Sequence, residues 1–420
     1  MSKKVELKRV NKLPETINDG DCFEIVQANP NYLTHSFFKY PCKFIPEIPG
    51  WAIRTFLSKN SGTVYDPFCG SGTTLLEANI FGLNGWASEI DPFAKILTKV
   101  KTTQLSADQL NSIKNHFEIF LNAINDKRIN IVIPSMKNLD HWFPQKTINE
   151  LGRLIYCINK LDDETERNFF RVCVASIVKK VSYCDNVSPK PYVSTRIEKK
   201  PDSVLDAFKS TFDSYFEKIS DLSEKSNLGR TFFTNGDACF CKTDFVCDLA
   251  FTSPPYINAF DYGRTLRLEN LWLGYETEDG IKTRKKDYVG TEIVREKEID
   301  TFRDICTFST TLKTIVDQLE IIDKKRAVVV LKFFTDMKQN IADVYSHLKP
   351  GCVYGIVIGD SVIRKITVPS ALIISEIAVH LGFKKELMFS YIIKNPYIRI
   401  PRSNNGGLIK FDNVLILRRD

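Results

Sequence analysis

The stretch TVYDPFCGSGTTLLEANIFG, residues 63–82, decides the fold. TVYDP reads as a short apolar strand, and GSGTTLLEANIFG as a tight turn opening a helix. Gly70 and Gly72 let the backbone turn sharply and let a ligand approach with no Cβ in the way. GWASEI, residues 85–90, follows as a second strand. Strand, helix, strand is the repeating unit of an α/β fold with a mostly parallel sheet.

The loop Asp66-Pro67-Phe68-Cys69-Gly70-Ser71-Gly72-Thr73-Thr74 is the first candidate site. The free N–H groups of a helix N-terminus favour a carboxylate or a phosphate. The dinucleotide-binding pattern wants a third glycine, and position 75 is Leu. The phosphate-binding loop wants Gly-Lys-Ser/Thr, and no Lys is present. The second strand ends Ser88-Glu89-Ile90-Asp91. An acid at a strand end beside a glycine loop is placed to accept hydrogen bonds from two ribose hydroxyls, and Glu89 fits that role. Alone, each feature is an ordinary turn or an ordinary exposed acid; together they make a nucleoside-binding arrangement.

The second candidate is Thr252-Ser253-Pro254-Pro255-Tyr256, directly after the apolar strand FVCDLAF. Consecutive prolines hold the backbone extended with no N–H to donate, which fixes the carbonyls outward. Such a site suits a planar base with an amino group. Ser253 Oγ and the Pro254 carbonyl can accept its two hydrogens, and Tyr256 can stack on the ring for about 1–3 kcal/mol. The bland alternative is a proline-rich turn with a surface tyrosine.

Elsewhere the pattern is coarser. LNSIKNHFEIFLNAI, INELGRLIYCINKL and ERNFFRVCVASIVKKV, all within residues 101–230, repeat apolar residues at three and four and read as helices. That block is expected to be a largely helical insertion. It divides a catalytic domain made of residues 1–100 and 231–420. Strand patterns resume at FTNGDA and FVCDLAF, and a helical stretch covers about residues 301–347. AVVVLKFF within it, residues 327–334, is ambiguous: its β-branched residues favour a strand and its flanks a helix. CVYGIVIGDS is a strand and PSALIISEIAVHLGF a helix. ELMFSYIIK and DNVLILRR are expected to form a C-terminal antiparallel pair joined by the polar loop PYIRIPRSNNGGLIKF.

The two motifs resemble those of the DNA amino-methyltransferase family. DPFCGSGTT is similar to its cofactor-binding motif and TSPPY to its catalytic motif. The resemblance implies a Rossmann-like class I methyltransferase fold and S-adenosylmethionine as cofactor. It implies double-stranded DNA as partner, and it allows a cognate restriction endonuclease as companion. SPPY resembles the N4-cytosine enzymes; adenine-N6 transfer is the alternative. An RNA base methyltransferase and a non-catalytic DNA-binding protein are more distant alternatives. HSFFKYPCKFIPEIP resembles the segment bordering the methionine end of the cofactor, which implies roles for Lys43 and Phe44. Asn235-Gly236-Asp237-Ala238 resembles the strand end that meets the cofactor adenine, with Asp237 as its acid and Ala238 beside it. AFDYGRTLRLENLWLGY resembles the post-catalytic helix and KPGCVYGIVIGDS a later strand. Cytosine-C5 enzymes need a nucleophilic Cys after the catalytic Pro; here Tyr256 stands after Pro255, and Cys42 reads as packing.

Reaching a paired amine requires flipping the base out of the duplex at a cost of a few kcal/mol. Phosphate contacts are expected from Lys179, Lys180, Lys190, Arg196, Lys199 and Lys200, or from Lys282, Arg284, Lys285 and Lys286. The net charge of +7, from 58 basic and 51 acidic residues, permits such a partner without demanding one. No apolar run is long enough to span a bilayer, and the chain starts without a secretion signal. Eleven cysteines then read as reduced thiols in a cytoplasmic protein. Cys239, Cys241 and Cys247 lack a metal-site spacing, so no metal is expected.

Overall fold

The structure is a computed structural model that describes residues 6–26, 29–57, 61–196, 198–257, 261–393 and 410–420. Its strands are β1 (Leu7–Val10), β2 (Cys22–Ile25), β3 (Thr63–Asp66), β4 (Asn84–Ala87), β5 (Thr231–Phe233) and β6 (Cys247–Thr252). They continue with β7 (Leu348–Ile358), β8 (Ser361–Ile363), β9 (Ile366–Val368), β10 (Phe383–Ile392) and β11 (Phe411–Arg419). Nine of them form one sheet in the order β1-β2-β10-β11-β7-β6-β3-β4-β5, while β8 and β9 form a separate hairpin. Every pairing in the large sheet is parallel except the two made by β11, with β10 and with β7. The expected C-terminal antiparallel pair is therefore present, with β11 slotted between β10 and β7. Residues 394–409, which hold most of the connecting loop PYIRIPRSNNGGLIKF, lie outside the described residues.

The central strands are buried on both faces, which accounts for their continuous apolar runs. Successive residues point to opposite cores. Val64, Leu249, Val353 and Val357 pack with Ile48, Trp51 and Ile53 of the helix Glu47–Phe56 on one face. Tyr65, Ala250, Tyr354 and Ile356 pack on the other face with Val328, Leu331, Phe334 and Ile374 from the helices Lys324–His347 and Ser370–His380. The ambiguous AVVVLKFF lies wholly inside the first of those two helices. Asp323 caps its start by accepting from Arg326 N at 3.1 Å. Val328, Val329, Val330, Leu331, Phe333 and Phe334 are all buried, and their burial outweighs the few tenths of a kcal/mol by which β-branching disfavours a helix.

Between residues 101 and 230 the chain forms the helices Ala107–Ala123, Leu139–Trp142, Gln145–Ile158, Glu164–Val178 and Val204–Ser223. Phenylalanines dominate their core; Phe117 stacks on Phe212 at 3.6 Å between ring centroids, and Phe170 meets Phe120 edge-on. The same cluster takes in Phe37, Phe38 and Tyr40 before the glycine loop and Leu266, Leu268, Leu271 and Trp272 after the proline loop. Phe37 stacks on Tyr215 at 4.1 Å, and Lys218 Nζ donates to Ser36 Oγ at 2.6 Å. The helical block thus braces the segment that precedes the glycine loop. Among the described residues no helix is long and apolar enough to cross a membrane.

Candidate active site

Strands β3 and β6 are parallel neighbours, with Val64 opposite Leu249 and Tyr65 opposite Ala250. The glycine loop leaves the end of β3 and the proline loop the end of β6, so the two emerge side by side. From β3 the chain proceeds to β4 on one side, and from β6 to β7 on the other. Such a divergence opens a crevice at the carboxyl ends of the strands. Thr252 Oγ1 donates to Asp66 Oδ1 at 2.5 Å and ties the strand ends together. Asp66 also accepts from Phe68 N at 3.1 Å. Burial pushes its carboxyl up to about 6 against these hydrogen bonds.

The cleft there encloses about 870 Å³ including its open mouth. Of the residues singled out in the sequence, Lys43, Phe44, Pro67, Phe68, Gly70, Ser71, Thr73, Glu89, Ile90, Asp237, Ala238, Ser253 and Pro255 line it. Asp66, Gly72, Thr74, Pro254 and Tyr256 do not. Asp66 and Thr74 are buried beneath the loop and shape it. Tyr256 turns away, and its hydroxyl donates to Asp412 Oδ1 at 2.7 Å.

Glu89 sits at the cleft wall, accepting from Gly70 N and Asp91 N, each at 2.8 Å. Burial, with Asp91 next, pushes its carboxyl up to about 8. Across the cleft Asp237 is exposed, accepting from Cys239 N at 2.8 Å, while the Ala238 carbonyl accepts from Asn340 Nδ2. Lys43 Nζ donates to the His35 carbonyl at 2.7 Å, and burial holds it down to about 8.

Several contributors escaped the sequence reading. Lys101 is fully buried and its Nζ donates to the Ser71 carbonyl at 2.6 Å. One turn earlier on the same helix, Thr98 Oγ1 donates to the Gly70 carbonyl at 2.9 Å. These two side chains hold the glycine loop from below. Gly72 has φ of 74°, and a Cβ there would lie 2.7 Å from Thr98 Cγ2. Tyr40, Tyr262 and Tyr288 line the cleft and form a row of rings with centroids 6.3 and 6.4 Å apart. Asp91, which caps the helix Pro92–Lys101, is held by Asn270 Nδ2 at 3.1 Å and Tyr288 Oη at 3.1 Å. Cys42, expected to pack internally, is instead exposed at the cleft, where its backbone takes a left-handed φ of 56°.

The expected DNA contacts divide. Lys179 Nζ donates to the Pro189 carbonyl at 2.9 Å, and Lys199 Nζ to the Lys179 carbonyl and to Asn186 Oδ1. These two ammonium groups close their own loop. Lys180, Lys190, Arg196 and Lys200 are exposed. In the second basic run Arg284 pairs with Glu276, Lys285 with Asp261 and Lys282 with Asp279. Among the described residues no group of three or more His, Cys, Asp or Glu could hold a metal ion.

Comparison with known proteins adds to this geometry. The Type II methyltransferase M.MvaI of Kocuria varians is 26% identical over 424 residues, covering 94% of this chain and 92% of that protein. The chain's relatives are Type II methyltransferases. M.BsoBI of Geobacillus stearothermophilus is 22% identical, covering 91% of this chain and 84% of that protein. M.AvaI of Nostoc sp. PCC 7120 is 24% identical, covering 86% and 81%. These likenesses agree with the resemblance carried by DPFCGSGTT and TSPPY. No family model matches the chain.

The support beneath the glycine loop yields one expectation. Gly72→Ala should lower unfolding free energy by about 1–3 kcal/mol, the usual cost of a non-glycine residue held at positive φ. Denaturant titration measures it, and unchanged stability would show that Thr98 yields freely.

Proposed function

We propose that this chain is an S-adenosylmethionine-dependent DNA methyltransferase acting on the exocyclic N4 amine of a flipped cytosine. One observation carries the reading: Ser253 and Pro255 line the same cleft as Gly70 and Glu89. The sheet order, with helices on both faces and the cleft at the β3/β6 divergence, supports a Rossmann-like class I methyltransferase architecture.

The residues present suit the cofactor. Gly70 and Gly72 both have left-handed φ, leaving the loop backbone open to a ligand. Glu89 would accept from the ribose hydroxyls, Asp237 would meet the adenine, and Lys43 and Phe44 would border the methionine end. When bound, S-adenosylmethionine supplies a methyl group on a sulfonium, already a strong electrophile. The chain then has mainly to position the amine. Ser253 Oγ and the Pro254 carbonyl accept its two hydrogens and orient the nitrogen lone pair. Tyr256 offers a ring to stack on. The serine in SPPY supports cytosine over adenine.

The catalytic domain comprises residues 1–100 and 231–420, and residues 101–230 carry target recognition in this reading. Lys180, Lys190, Arg196 and Lys200, exposed on that block, would contact phosphates.

Mass spectrometry of nucleosides from DNA treated with the protein should reveal N4-methylcytosine; N6-methyladenine would overturn the base assignment, and no methylated base the whole reading. Ser253→Ala should lower kcat by about 100-fold, as loss of one positioned polar group does, with KM for the cofactor little changed. Replacing Lys180, Lys190, Arg196 and Lys200 by Ala should weaken DNA binding and flatten its dependence on salt by about 0.9 per lost phosphate contact. An unchanged slope places the DNA elsewhere. Glu89 gives a pH test. Its folded value of about 8 exceeds the ordinary 4.5, so ionising it withdraws stability as pH rises between those values. Ribose hydroxyls prefer the carboxylate, so affinity for 5′-methylthioadenosine, which has the diol but no amino acid, should rise with pH up to about 8 and level off above. Calorimetric titration measures this, and Glu89→Gln should remove the slope.

A further inference from the structure

Three tyrosines without a role in the proposed function line the cleft: Tyr40, Tyr262 and Tyr288. Tyr40 precedes the glycine loop, Tyr262 follows the proline loop, and Tyr288 belongs to a later segment. Their ring centroids stand 6.3 and 6.4 Å apart, and the planes of successive rings differ by only 26° and 33°. Tyr40 lies against the first glycine of the loop, since a Cβ on Gly70 would fall 3.2 Å from its Cε1. At the other end of the row the Tyr288 hydroxyl donates to Asp91 Oδ2 at 3.1 Å. Two residues on, Gly290 takes a φ of 81° and backs onto the proline loop. A Cβ there would fall 3.4 Å from the Tyr256 carbonyl oxygen. The row therefore runs from the glycine loop to the neighbourhood of the proline loop.

The charges around it are mostly of one sign. Glu89, Asp91, Asp237 and Asp287 line the cleft, and among the described lining residues Lys43 is the single base. Its ammonium group is engaged by the His35 carbonyl. Burial, with Glu89 next, pushes the Tyr40 phenol far above its ordinary range, so that ring stays neutral. A neutral aromatic face carries negative potential and attracts a cation within about 6 Å of its centroid, more strongly where water is excluded. A sulfonium has no N–H or O–H to donate. Ring faces and nearby negative charge are what can hold it.

We infer that Tyr40, Tyr262 and Tyr288, together with Glu89 and Asp91, form the subsite for the sulfonium of the cofactor, and that this subsite tells the charged donor from the neutral product. Once the methyl group has moved to the base nitrogen, which sheds one proton to water, the S–CH3 electron pair stays on sulfur and leaves an uncharged thioether. The attraction ends with the transfer, which favours exchange of spent cofactor for fresh. The inference deepens the proposed function and rests on its assignment of the cofactor.

Calorimetric titration of the whole chain with S-adenosylmethionine and with S-adenosylhomocysteine tests it. Tyr40→Leu should weaken S-adenosylmethionine about tenfold and leave S-adenosylhomocysteine within about twofold. Tyr40→Phe keeps the ring and should leave both within about twofold. Equal weakening of the two ligands by Tyr40→Leu would mean that the ring only fills space, and it overturns the inference, as does no weakening of either. Should Tyr40→Leu fail to fold, Tyr262→Leu and Tyr288→Leu decide by the same comparison. A wild-type chain that binds neither ligand sinks the cofactor assignment and the proposed function with it. A wild type that binds both, with their ratio unmoved by the leucine substitutions, sinks only the role of the tyrosines.

Discussion

The site depends on the hydrogen bond from Thr252 to Asp66. Those residues are far apart in sequence, yet each is the last residue of its strand, and the strands are parallel neighbours. Parallel pairing alone brings the two strand ends to one edge of the sheet. The bond fixes their relative height, and it joins the base of the glycine loop to the base of the proline loop. Asp66 reaches further by accepting from Phe68 N at the start of its own loop. A buried carboxylate without such donors would cost several kcal/mol, so Asp66 and its donors hold one another in place.

The glycine loop is then held from two further directions. Thr98 and Lys101 grip two of its carbonyls from beneath, and Glu89 grips the Gly70 N–H from the side. With its own groups engaged, the loop has a defined shape before any ligand arrives, which reduces the ordering cost of binding. The acids nearby crowd one another: Asp91 raises Glu89, and both surround the same cleft. A cationic ligand would relieve that crowding, and the sulfonium of the proposed cofactor is cationic. The helical block contributes at one remove, since Tyr215 and Lys218 fasten Phe37, Phe38 and Ser36 just before Lys43.

Much of this was legible in the chain because it is local. The strand–glycine–helix unit, the acid just past β4 and the proline loop after β6 are contiguous patterns whose geometry follows from backbone rules. The antiparallel closing pair was legible from its flanking polar loop. What stayed hidden depends on distant partners. Lys101 looks like any helix-end lysine until the fold brings Ser71 over it. Lys179 and Lys199 look like surface charges until their loop folds back on itself. The row formed by Tyr40, Tyr262 and Tyr288 draws on three separated segments, and the segment of Tyr288 carries no motif. AVVVLKFF was ambiguous for a different reason: a helix buried on nearly all sides loses the polar stripe that would betray its period.

The proline loop also separates two spaces. In an extended backbone alternate residues point to opposite sides. Ser253 and Pro255 face the cleft, whereas Pro254 is buried and Tyr256 points toward β11. Each proline disfavours the helical region for the residue before it, which keeps Ser253 and Pro254 extended. A ligand in the cleft therefore meets the serine, while the tyrosine ring stands on the far side of the same four residues. In the proposed reaction that arrangement admits cofactor and base from different directions and lets them meet only at Ser253.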